Sequence, residues 1–171
     1  MQPPTFRIHP TPFGDALLVA TDAGLVSVHL LEAPLSHALE PIAQSLQSMP
    51  VPDDAAVPDA ADWLDAYFEG FREPCPAPLD WRLVHGFTRR ALEAVRRIPY
   101  GETASYSEVA VAAGSPRAHR AVGSACATTP FSLVVPVHRV VRADGTIGEY
   151  GGRQDLKRAL LDLEQAHAPG P

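Results

Sequence analysis

Two cysteines in 171 residues, Cys75 and Cys126, are too few for a disulfide framework, and their spacing fits no zinc site. Cysteine usage this low is ordinary for a reducing cytoplasm. Long apolar runs are also missing: none reaches the roughly 18 residues that a membrane helix needs. The start, Met1-Gln2-Pro3-Pro4-Thr5, has neither the basic nor the apolar region of a secretory signal, so a cytoplasmic location is expected. Basic residues are scarce in the first half. Residues 1–85 hold three arginines (Arg7, Arg72, Arg82) against twelve carboxylates, a net of −9, whereas residues 86–171 hold eleven cations against eight, a net of +3. The overall −6 hides that asymmetry, and any nucleic-acid face belongs to the second half. His9, His29 and His37 have no metal-ligand spacing, and Cys75 sits between prolines, so the first half carries no catalytic constellation. What is present is a 46% hydrophobic chain, enough for the packed core of one domain or two small ones.

Alternation over residues 5–32 predicts three strands. They contain Phe6 and Ile8, then Ala16 to Ala20, then Leu25 to Leu30, with turns at Gly14 and Asp22-Ala23-Gly24. A helix over 34–47 has Leu35, Leu39, Ile42 and Leu46 on one face. Met49 to Pro58, with three prolines, reads as a loop. Ala60, Trp63, Leu64, Tyr67 and Phe68 then repeat at 3.6 residues, predicting a helix from Asp59 to near Gly70, and Phe71 to Pro78 reads as an extended linker. Beyond His85-Gly86, a helix shows Phe87, Ala91, Leu92, Val95 and Ile98 on one face and Arg89, Arg90, Arg96 and Arg97 on the other. Pro99-Tyr100-Gly101 closes it. Ser105 and Glu108 form a capping box for the next helix, which ends at Gly114. Ser115 as N-cap and Pro116 at the first helical position predict a third helix over Arg117 to Ala127. Helix, short turn with glycine, and second helix make a helix-turn-helix pattern. A last helix runs over Asp155 to Ala166, with Leu156, Leu160, Leu161 and Leu163 inward. The fold class is α+β: a small β-sheet with helices over 1–84, then a helical domain over 85–171.

The stretch Leu133-Val134-Val135-Pro136-Val137-His138-Arg139-Val140-Val141 organises the second half. Its apolar run predicts a buried strand, a turn at Pro136, and a loop rich in Gly145, Gly148, Gly151 and Gly152. His138 is open to two readings, a hydrogen-bonded structural residue or a site residue that titrates near neutral pH. The small residues Ala118, Ala121, Gly123, Ser124, Ala125 and Ala127 also have two. They let a helix pack tightly on its own core, or let it approach a narrow groove of DNA. Arg120 interrupts them and needs an exposed destination.

Several motifs, in order, resemble those of the O6-alkylguanine-DNA alkyltransferases. Arg97-Ile98-Pro99-Tyr100-Gly101-Glu102-Thr103, Ser105-Tyr106, Arg120-Ala121-Val122-Gly123, Pro136 with His138-Arg139-Val140, Tyr150 and Glu164 all match, over roughly residues 85–165. Thr11 to Gly14 resembles the N-terminal domain of bacterial members. The resemblance implies an RNase H-like first domain and a winged helix-turn-helix second domain that binds DNA. Tyr106 would press the target phosphate, and Arg120 would fill the gap left by a flipped base. Arg117, Ala121 and Arg139 would join them at the DNA. Cys126, Val137, Tyr150, Gly151 and Gly152 would line the base pocket, and Glu164 would orient His138.

One departure decides the expected chemistry. The family's acceptor cysteine falls at position 137, which here is Val137. Valine has no lone pair, so His138 and Glu164 would be remnants of a catalytic set, as in alkyltransferase-like proteins. The resemblance then implies a monomer that binds double-stranded DNA bearing O6-alkylguanine without repairing it. It would work with nucleotide-excision repair proteins, at the nucleoid, and with no metal, cofactor or membrane. Two alternatives stand beside it. One is a suicide alkyltransferase using Cys126; the other is a winged-helix DNA-binding protein without lesion specificity. Thr129 replaces a frequent asparagine, His119 a small residue, and Gly151 a frequent serine, each bearing on DNA or base contacts.

Overall fold

The computed structural model describes residues 2–169, and the chain divides into two compact units. The first runs to Leu83 and takes back Pro130–Ser132; the second holds Val84–Thr129 and the described residues from Leu133 onward.

In the first unit β1 (Thr5–Thr11), β2 (Gly14–Thr21) and β3 (Gly24–Leu30) form the expected antiparallel meander. Ala16 to Ala20 are all buried, because β2 lies inside the sheet order β3-β2-β1-β4. The fourth strand corrects the sequence reading: Val51–Pro52, expected in a loop, pairs in parallel with β1 as β4. Val51 N–H donates to the Pro4 carbonyl at 2.9 Å, and Pro52 is tolerated because the strand is an edge. Helix α1 (Leu35–Leu46) brings Leu35, Leu39, Ile42 and Leu46 onto Leu17, Val19 and Val26. Helix α2 (Pro58–Phe68) starts on a proline that needs no partner for its nitrogen, and buries Ala60, Ala61, Trp63, Leu64 and Tyr67. Residues 71–78 hold no helix or strand but are tied down: Trp63 Nε1 donates to the Glu73 carbonyl at 2.9 Å, and Leu25 N–H to the Pro78 carbonyl at 2.8 Å. Gly24 (φ +133°) makes that approach possible, since a Cβ there would run into the Pro78 carbonyl. Pro130–Ser132, which sequence reading places in the second domain, hydrogen-bonds to both the amide and the carbonyl of Val28 in β3. Phe131 between them is fully buried, edge-on to Trp81 at 5.1 Å.

In the second unit α3 (Gly86–Arg96) buries Ala91, Leu92, Ala94 and Val95. The two-residue strand β5 (Ala104–Ser105) feeds α4 (Tyr106–Ala112) through the predicted capping box. Ser105 Oγ accepts from Glu108 N–H at 3.0 Å, and the Glu108 carboxylate accepts from Ser105 N–H at 3.2 Å. Helix α5 (His119–Ala127) begins later than predicted. Ser115 to Ala118 close a separate turn, with Ala118 N–H donating to the Ser115 carbonyl at 2.9 Å, so Ala118 and not Ser115 is the cap. α4, this turn and α5 form the helix-turn-helix.

The predicted strand over 133–141 is corrected most. Leu133 takes a left-handed conformation (φ +68°). Pro136 (φ −80°, ψ 66°) makes an inverse γ-turn, with Val137 N–H donating to the Val135 carbonyl at 2.8 Å. Val137–Arg139 is then one 3-10 turn, and only Val140–Val141 (β6) pairs, in parallel with β5. The run is apolar because it is buried from Leu133 to Val140, not because it is a strand. Helix α6 (Gln154–His167) completes the unit and buries Leu156, Lys157, Leu160, Leu161 and Glu164, while Leu163 is only half-buried.

Candidate functional site

The 3-10 turn places Val137, His138 and Arg139 inside the second unit, where α6 meets them with Glu164. The Glu164 carboxylate accepts from His138 Nε2 at 2.6 Å, from Arg139 Nε at 2.8 Å and Nη2 at 3.1 Å, and from Gly101 N–H at 3.0 Å. Arg139 also donates to the Ile98 carbonyl at 2.6 Å and lies 5.5 Å over the Tyr100 ring. An ionised carboxylate only accepts, so Nε2 of His138 carries the proton and Nδ1 is the basic nitrogen. Burial pushes the His138 imidazolium down, outweighing the hydrogen bond and charge of Glu164 that favour it. Burial alone would push the Glu164 carboxyl up; the hydrogen bonds and charges of His138 and Arg139 outweigh it and hold it well below the usual range. With the imidazole neutral, the standing ion pair is Arg139 with Glu164.

A second group lies around Tyr106, the first residue of α4. Lys157 on α6 is fully buried; its ammonium donates to the Val140 carbonyl at 2.6 Å and the Glu149 carbonyl at 3.3 Å, and lies 5.9 Å from the Tyr106 ring centroid. Desolvation pushes it down to about 8, helped by the charge of Arg142 and opposed by Cys126 and Glu149. The Cys126 thiol on α5 is pushed up to about 12, mainly by burial, with Lys157 opposing. Burial raises the Tyr106 phenol too. Gly148 (φ +77°) lies so close to Tyr106 that a Cβ would stand 3.1 Å from its hydroxyl. Among the described residues no group of three or more His, Cys, Asp or Glu is placed to hold a metal.

The residues expected at DNA divide. Arg117, His119, Arg120 and Ala121 are exposed on the turn and on α5, and Tyr106 is half-buried at the start of α4. Arg139 does not join them: its guanidinium is engaged inside the fold by Glu164 and Ile98, which corrects its expected DNA contact. Of the expected pocket residues, Val137 is buried, Cys126 and Tyr150 are half-buried, and Gly151 and Gly152 are exposed with positive φ (+55° and +80°). Thr129 is buried.

Residues 6–81 match the family profile "6-O-methylguanine DNA methyltransferase, ribonuclease-like domain", and residues 86–166 match the same family's "DNA binding domain". A protein named methylated-DNA–protein-cysteine methyltransferase from Mycobacterium tuberculosis is 38% identical over 164 residues, covering 96% of this chain and 94% of that one. The chain belongs to the methylated-DNA–protein-cysteine methyltransferase family. The crystal structure of the M. tuberculosis O6-methylguanine methyltransferase superposes with a TM-score of 0.81 at 37% identity, covering 98% of this chain and 96% of that one. The M. tuberculosis protein crystallised in complex with DNA gives 0.80 at 36%, covering 96% and 95%. The α+β, two-domain architecture is therefore that of the family.

Within that family fold, Lys157 is the residue sequence reading missed. A signal was present: Lys157 stands seven residues before Glu164, two helical turns back on the same face, beside the inward Leu156 and Leu160. A cation on an inward stripe is rare enough to mark.

Proposed function

We propose that this chain recognises O6-alkylguanine in duplex DNA and does not accept the alkyl group. The observation that carries this reading is Val137, buried in the 3-10 turn beside an intact His138–Glu164 pair. The base and its orienting carboxylate remain, but the side chain they would activate cannot be a nucleophile. Cys126 is poorly suited to replace it. Alkyl transfer needs a thiolate, and a thiol pushed up to about 12 is almost wholly protonated at neutral pH.

A modified base must leave the stack before a pocket can inspect it, at a cost of a few kcal/mol. Arg120, exposed on α5, is suited to occupy the vacated space, and Tyr106, at the start of α4, to guide the backbone. Gly151 and Gly152 leave room for a base to approach the loop beside Tyr150. Val137 would present methyl groups where a thiol would otherwise stand, favouring an alkylated O6 over a bare one. The bound complex would mark the lesion for nucleotide-excision repair proteins, with the chain acting as a cytoplasmic monomer at the nucleoid.

The test mixes the purified protein with a duplex carrying one O6-methylguanine, follows binding against the unmodified duplex, and then weighs the protein. Preferential binding with no gain of mass is expected. Gain of one methyl group would overturn the reading and direct attention to Cys126. Equal affinity for both duplexes would instead make the chain a DNA-binding protein without lesion specificity.

A further inference from the structure

Lys157 is buried to 0% exposure, and its acceptors are two backbone carbonyls rather than a carboxylate. Such burial is expensive: an ammonium loses its hydration, and a methionine of similar volume would fill the same space without that loss. The depressed proton affinity of the group, about 8, reflects the same cost. A costly charge that does not serve the core calls for another role, and the atoms it joins suggest one. The Val140 carbonyl ends the 3-10 turn that carries Val137 and His138. The Glu149 carbonyl lies in the glycine-rich loop between Gly148 and Tyr150. The ring 5.9 Å away is Tyr106, at the start of the helix-turn-helix, and Gly148 packs against that tyrosine's hydroxyl end. One ammonium thus contacts all three parts expected to surround an inspected base.

We infer that Lys157 is a positioning residue for lesion discrimination: its ammonium fixes the glycine-rich loop and Tyr106 against the Val137 turn. It touches neither base nor phosphate in this role and acts through the loop it holds. The inference rests on the proposed reading of the site as a lesion pocket. Mutual support runs through Gln154 as well, whose side-chain amide donates to the Gly148 carbonyl at 3.1 Å; that contact is part-buried, like the one from Lys157 to Glu149, but it is uncharged. Lys157 supplies the charged tie, buried at its Val140 end.

The test compares wild-type protein with Lys157→Met in two measurements. The first is affinity for the O6-methylguanine duplex and for the unmodified duplex. The second is amide hydrogen exchange of residues 145–152 in the free protein. Loss of a hydrogen bond from a charged donor predicts an affinity ratio lower by about tenfold, with loop protection lower by a similar factor. The thermal midpoint should hold or rise, since the desolvation cost goes with the charge. A merely structural lysine would lower the midpoint and weaken both duplexes in proportion, leaving the ratio intact; that result, or unchanged loop protection, overturns the inference. Should Lys157→Met fail to fold, Lys157→Gln keeps an amide donor without the charge and is read in the same way. Wild-type protein with no lesion preference would overturn the reader function, and the tie would then be judged on loop protection alone.

Discussion

At the scale of single residues the site pairs a buried imidazole with a buried carboxylate beside Val137. His138 sits 2.6 Å from Glu164, and Glu164 is held in turn by Arg139 and the Gly101 amide, so the imidazole is oriented whatever occupies position 137. Val137→Cys is close to volume-conserving and places a thiol in that prepared surrounding. The variant is expected to gain one methyl group, once, on incubation with an O6-methylguanine duplex, read by intact-protein mass against an unchanged wild type. Glu164 carries a different prediction. Its carboxyl titrates below the unfolded value, from 4.5 down to about 2, so its stabilisation is complete above pH 4.5 and drains away as pH falls through that window. His138 pulls the same way: its depressed proton affinity means the unfolded chain takes up a proton near pH 6.5 that the fold refuses. Glu164→Gln strands the Arg139 guanidinium in the interior and should cost about 3–5 kcal/mol at pH 7. Urea unfolding from pH 7 down to pH 3 should show that loss together with a shallower acid slope. Sequence reading paired His138 with Glu164 through the family resemblance. It misplaced Arg139, because an arginine beside a histidine signals equally an exposed contact and a buried counter-ion, and only the 3-10 turn decides between them.

At the scale of elements, local chemistry was legible where one residue dictates one geometry. The Ser105–Glu108 box was readable because each side chain satisfies the other's backbone amide. The meander was readable from alternation and from Gly14 and Gly24 at its turns. Legibility failed where burial comes from more than one side. Leu133 to Val141 has the composition of a strand, yet Leu133, Pro136 and the following 3-10 turn fold it back on itself. It failed again where two residues suffice, as at Val51–Pro52, whose proline and brevity leave no pattern. The box makes its own prediction. Ser105→Ala removes the oxygen that accepts from Glu108 N–H and should destabilise the protein by about 1 kcal/mol. Tyr106 is the first residue of that helix, so the loss should appear as faster amide exchange in the first turn of α4 and as weaker lesion preference than the stability change alone explains. Gly148→Ala attacks the same tyrosine from the loop. A left-handed φ and a Cβ 3.1 Å from the hydroxyl make it strained by roughly 1–3 kcal/mol. Thermal unfolding should register that cost.

At the scale of the whole molecule, charge is unevenly divided between the two halves. The first half carries −9 and the second +3, and the second half's positive count includes two cations that never meet solvent freely, Arg139 and Lys157. Arg89 and Arg153 are further engaged with Glu93 and Asp155. The net cationic field available to a duplex is therefore small, and non-specific binding should be weak and salt-sensitive. Arg117 and Arg120, both exposed near the start of α5, separate the two components of binding. Arg117 sits in the turn before the helix; as a phosphate contact, its loss in Arg117→Ala should weaken damaged and undamaged duplexes alike and flatten the salt slope by about one. Arg120 lies one residue into the helix, beside the small Ala121 and Gly123 that let the backbone come close. Arg120→Ala should lower affinity for the O6-methylguanine duplex by about tenfold or more while barely changing the unmodified one, because the flipped state alone needs the gap filled. Titrations of both variants at two salt concentrations decide the matter. If Arg120→Ala lowers both affinities equally, the arginine is a phosphate contact and the lesion is being recognised without leaving the stack.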